Sequence, residues 1–181
     1  MDRTVIINEL IEFLRADKAV GTHFRMGAFV EPVDLNARRD KNGLRPGYHY
    51  YKECGTACCL AGWINILQAK RTRPEILQYP SKDERYISPF TSYMEDSVSP
   101  GDLLNLSEGQ RQELFFMHGC TVELEHFDET CYVPLNIRYD AGIRVLEILR
   151  DENVVDWDRA LTESGFDFSA YNETIEEEKN L

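Results

Sequence analysis

Apolar positions first fall into a helical rhythm between Thr4 and Ala19, where Ile6/Ile7, Leu10/Ile11 and Phe13/Leu14 recur with Glu9, Glu12 and Arg15 opposite. That spacing predicts an amphipathic helix closed by Gly21. The period is lost from Thr22 to Val33, which reads as extended chain, and Asp34–Lys52 carries the turn formers Asn42-Gly43 and Pro46-Gly47. Thr56–Lys70 is apolar nearly all round, the mark of a helix buried in the middle of a core. Pro74, Pro80 and Pro89 break up Thr72–Val98. Ser99-Pro100 then predicts a capped short helix through Leu106, and Ser107-Glu108-Gly109-Gln110 a capping box opening a helix with Leu114, Phe115 and Phe116.

Val122, Leu124, Tyr132 and Val133 give residues Thr121–Leu135 a strand-like alternation. Asn136–Arg150 returns to helical spacing, with Ile137, Ala141, Val145 and Leu149 on one face, expected to meet the helix that holds Trp63. Asp156 caps a last helix through Ser164, ended by Gly165. The expectation is a single compact, mainly α domain over residues 1–172, built of five or six helices with a minor extended or small antiparallel β component. An acidic C-terminal tail, 173–181, follows it.

Size and composition agree with this. A chain of 181 residues can bury roughly 70% of its unfolded surface. No apolar run approaches the about 20 residues needed to span a bilayer, so no membrane association is expected. Glu9, Glu12, Arg15 and Asp17 interrupt any signal-peptide core, which makes the cytoplasm the expected compartment. Five cysteines, three of them within six residues, are a poor disulfide framework. Charge is divided unevenly: residues 95–181 hold six Lys/Arg against 21 Asp/Glu, while residues 1–94 carry a small positive excess. An acidic half disfavours general nucleic-acid binding and suits a protein partner with a basic surface.

The most informative stretch is Cys54-Gly55-Thr56-Ala57-Cys58-Cys59-Leu60-Ala61-Gly62-Trp63. Phe24-Arg25-Met26, Leu103–Phe115 and Asn136–Trp157 accompany it. Together these segments resemble a family of small uncharacterised bacterial and phage proteins with a Cys-Gly-Thr-x-x-Cys-x-x-Gly-Trp core. Arg25 departs from that family's Phe-Asp-Met element. The resemblance implies that Cys54 and Cys59 are the family cysteines and Cys58 an extra one; it brings no activity with it.

Beside a purely structural role, this stretch and the loop before it admit three site chemistries. A helix N-terminus favours a thiolate, so Cys54 is a candidate nucleophile with His49, His118 or His126 as base. Cys54, Cys58 or Cys59 with His118-x-Cys120 comes near zinc spacing but lacks a Cys-x-x-Cys knuckle, so no metal and no cofactor is expected. Arg38, Arg39, Lys41, Arg45 and Lys52 interleave with Tyr48, His49, Tyr50 and Tyr51 ahead of Thr56, a combination suited to a small anionic ligand or nucleotide. The leading expectation is a non-enzymatic accessory protein binding a partner through its acidic half. A cysteine-dependent hydrolase or transferase and a small-ligand binder stand behind it.

Overall fold

In α1, Arg3–Val20, the apolar stripe is Ile6, Ile7, Leu10, Ile11 and Leu14, all buried, and the Asp2 carboxylate accepts from the Thr4 amide at 2.9 Å. The computed structural model describes residues 2–20, 24, 31–32, 56–57, 60–73, 98–129 and 131–180. Its helices pack around one hydrophobic core, and the domain is compact and mainly α, as the periodicity predicts. Eight helices lie among the described residues, more than expected from sequence.

Glu31–Pro32 (β1) and Thr56–Ala57 (β2) pair antiparallel, with Glu31 opposite Ala57 and Pro32 opposite Thr56. Helix α2 then runs Leu60–Thr72. This corrects the expected start at Thr56: the chain there is extended and paired with β1, so Thr56 is not the helix cap. The all-apolar composition of α2 has the expected result, because Leu60, Trp63, Ile64, Ile66, Leu67 and Ala69 are all buried. Phe13 of α1 packs on Trp63 with ring centroids 4.4 Å apart.

The caps read from sequence are in place. Ser99 accepts from the Asp102 amide at 3.1 Å and starts α3, Pro100–Leu103, with Pro100 in the first turn. This helix stops short of the predicted Leu106, since Asn105 takes a positive φ of 50°. Ser107 and Gln110 form the reciprocal capping box of α4, Glu108–Phe116. Asp156 accepts from the Arg159 amide at 2.8 Å and opens α7, Trp157–Glu163.

Two expectations fail for local reasons. Thr121–Leu135, read as strand-like, contains helix α5, Leu124–Asp128, flanked by turns. The Phe127 amide donates to Glu123 O and those of Tyr132 and Val133 to Glu129 O, so these groups bond locally rather than across a ladder. Nor is α7 the last helix. Gly165 turns the chain at φ 87°, a left-handed conformation suited to glycine, and Asp167 then caps α8, Phe168–Lys179. Residues 173–179, read as the start of an acidic tail, are the second half of that helix.

Helix α6, Leu135–Glu152, holds the centre, and its chief neighbours are α1 and α7 rather than α2. Ala141, Val145 and Leu149 are buried, whereas Ile137 is only half-buried. Ion pairs line the α1–α6 seam: Lys18 to Asp140 at 2.5 Å and Arg15 to Glu147 at 3.0 Å. Below the seam Phe24, Phe127, Tyr139 and Trp157 form an aromatic centre, and Trp157 Nε1 donates to Glu113 O at 3.0 Å.

Candidate functional site

Most residues singled out from sequence lie outside the described residues: Cys54, Cys58, Cys59, Arg38, Arg39, Lys41, Arg45, Tyr48, His49, Tyr50, Tyr51 and Lys52. Thr56 belongs to β2. His118 occupies an exposed turn behind α4. Cys120 is half-buried, and its thiol donates to Asp158 Oδ1 at 3.2 Å. The same carboxylate accepts from the Thr121 amide at 2.8 Å and the Thr121 hydroxyl at 2.6 Å. Asp158 thus ties the 118–121 turn to α7.

Burial first, and the Asp158 carboxylate second, push the Cys120 thiol up to about 12. It therefore stays protonated near neutrality and is a poor nucleophile. Among the described residues no thiol is hydrogen-bonded to an imidazole, and no three His, Cys, Asp or Glu side chains are grouped to hold a metal ion. This arrangement has a chemical consequence. With iodoacetamide at pH 8, exposed Cys131 is expected to alkylate at least about tenfold faster than Cys120 in the folded protein, with the difference disappearing in denaturant. Peptide mapping by mass spectrometry reads both rates; equal native rates would mean that the Asp158 contact does not hold the thiol.

A cleft of about 240 Å³ lies beside α8. Its walls come from the 131–134 turn, the start of α6, the Gly165–Asp167 connection and one face of α8. Two caps build it: Pro134 turns the chain into α6, and Asp167 starts α8 at the cleft's edge. Tyr132, Phe166 and Tyr171 supply the aromatic walls; the Tyr132 and Tyr171 centroids are 6.3 Å apart, edge to face.

Two separate polar pairs accompany these rings. His126 Nδ1 and the Tyr171 hydroxyl are 2.7 Å apart, and the His126 ring lies against Tyr132 with centroids at 4.3 Å. The Tyr132 hydroxyl donates to both Glu178 oxygens, at 2.8 and 3.0 Å. That hydrogen bond, with some burial, pushes the Tyr132 phenol up to about 12, and burial raises Tyr171 as well. Both phenols stay neutral at physiological pH, so the cleft offers aromatic rings and the Asp167 carboxylate rather than a phenolate base.

The sequence reading missed this site. Two helices separate Tyr132 from Asp167 and Tyr171, and only the Asp167-x-x-x-Tyr171 spacing at the head of α8 is locally visible.

Comparison with family models, curated proteins and solved structures finds no match to this chain. The fold and site define a mainly α-helical domain with an aromatic cleft, lined by one carboxylate, on its C-terminal half.

Proposed function

We propose that this chain is a cytoplasmic, non-enzymatic accessory protein, of the bacterial or phage kind its Cys-Gly-Thr motif resembles, that binds a protein partner with a basic surface through its acidic C-terminal half. One observation carries the reading: the arginines of that half are spent inside the molecule. Arg111 pairs with Asp102, Arg144 with Glu147 and Glu163, Arg150 with Asp151, and Arg159 with Glu152 and Glu163. Arg138 is buried and donates to Asp128 O at 2.7 Å.

Glu173, Glu176 and Glu177 of α8 are exposed and form no ion pair among the described residues. Their field is left to act outward, steering a cationic surface toward α8. No helix among the described residues is long and apolar enough to cross a membrane.

The test compares the parent with Glu173→Lys/Glu176→Lys/Glu177→Lys on an array of Lys/Arg-rich peptides and charge-neutral controls. Lysine is a good helix former, and two of the three positions fall in the last turn, where cations suit the helix dipole, so α8 should persist, as far-UV circular dichroism will verify. The parent should retain basic peptides, more weakly as salt rises and the screening length falls below about 10 Å. The variant should lose at least about tenfold in affinity, a change of about 1.4 kcal/mol. Equal binding by parent and variant, or none by the parent, would defeat the proposal.

A further inference from the structure

We infer that the cleft beside α8 receives one arginine side chain of the basic partner, packed against the Tyr132 and Tyr171 rings and paired with the Asp167 carboxylate. This rests on the partner reading above and names what the partner inserts.

Size comes first. A volume of about 240 Å³ is below the roughly 300–1,000 Å³ of small-molecule pockets, so a single side chain suits it better than a nucleotide. The lining chemistry comes second. Tyr132, Phe166 and Tyr171 present π faces and edges, and no Lys or Arg lines the cleft. A cation within about 6 Å of such a ring centroid is attracted by the ring quadrupole. The Tyr132 hydroxyl donates to Glu178, which enriches the ring further in electron density.

The anion is already positioned. Asp167 Oδ1 accepts from the Ser169 and Ala170 amides at 2.9 and 3.2 Å, which fixes the carboxylate at the cleft wall. Its Oδ2 makes no hydrogen bond among the described residues. Ala170 and Thr174 continue the wall along the same face of α8, so Asp167 is the one carboxylate that lines the cleft. A guanidinium is planar, weakly hydrated and rich in donors, so it can stack on a ring and donate to a carboxylate at once.

The experiment titrates tyrosine-labelled protein with Nα-acetyl-arginine methylamide, with Nα-acetyl-norleucine methylamide as the neutral control, and follows ring resonances by NMR. Saturable shifts at Tyr132 and Tyr171 are expected with the arginine compound only. Asp167→Asn keeps a good helix cap while removing the charge, and should weaken the interaction by about threefold or more. Ala170→Trp, at an exposed position of the wall, should fill the cleft and abolish the shifts.

Shifts of equal size with norleucine, shifts that survive Ala170→Trp, or no saturable shift at all would overturn the inference. The two proposals fail separately. If basic peptides bind the parent and Ala170→Trp equally well, the cleft is not the receptor while the acidic surface still is. If the peptide array is blank, the partner reading falls as well.

Discussion

Val145→Asp will bring the protein close to unfolding at pH 7. Val145 is fully buried on α6, one turn from Ala141 and Leu149, which are buried equally completely. An aspartate there has either to leave its charge unsolvated or to take up a proton at a pKa raised by burial. Leaving an uncompensated charge in a core costs about 3–5 kcal/mol. Set against a typical total of about 5–15 kcal/mol, the loss consumes much of the fold's stability.

The pH dependence follows from the sign of the shift. A carboxyl whose folded pKa lies above its unfolded one binds more protons when folded, so the variant's deficit relative to the parent narrows as pH falls from 7 to 5. Val145→Thr, which adds only a hydroxyl, should cost markedly less. Urea unfolding at the two pH values measures both variants. A Val145→Asp protein melting within a few degrees of the parent would show that this face of α6 is not a core face.

Phe24→Ala should cost about 3–5 kcal/mol, the range for truncating a buried aromatic. The Phe24 ring is fully buried, 5.6 Å from Tyr139 and 6.2 Å from Phe127 between centroids. Its backbone amide also donates to the Tyr139 hydroxyl at 3.2 Å. Gly142 is the other half of the contact, because a Cβ built there would lie 2.6 Å from Phe24 Cε1.

Alanine in place of Gly142 therefore has two opposed effects. It gains about 1 kcal/mol of helix propensity and meets overpacking of about 1–3 kcal/mol against a ring hemmed in on its other sides. In the Phe24→Ala background the ring is gone, and Gly142→Ala should turn stabilising. Urea unfolding of the four proteins closes the cycle. Additive effects would mean that ring and glycine do not touch.

What sequence could and could not reveal divides along the range of the forces involved. The cap at Ser99, the capping box at Ser107 and the cap at Asp156 were legible because each is settled within four residues. Helices α1 and α6 were legible because each repeats one apolar stripe over several turns. Helix α5 was misread because five residues are too few to display a period, and Val122 and Leu124 imitate a strand. Helix α8 was hidden by Glu176-Glu177-Glu178, whose charge masked the inward spacing of Tyr171 and Ile175. The cleft was out of reach for another reason: its walls come from four segments that only the packed helices bring together. The candidates around Cys54 were visible as a motif but lie outside the described residues.

The pairing of α1 with α6 also sets a timetable for the nascent chain. Arg3 reaches the end of α6, donating to Leu149 O at 2.9 Å and to Asn153 Oδ1 at 2.6 Å, and Arg150 returns a bond to Asn8 at 2.9 Å. More than a hundred residues must be translated between the last residue of α1 and the first of α6. At about 5–20 residues per second, α1 waits on the order of 10 s for α6, though α2, which also packs on it, emerges sooner. Helices α6 and α7, adjacent in sequence, can meet almost as soon as both have emerged. Until α6 has emerged, whatever part of the α1 stripe is left uncovered by α2 is apolar surface that a chaperone can read.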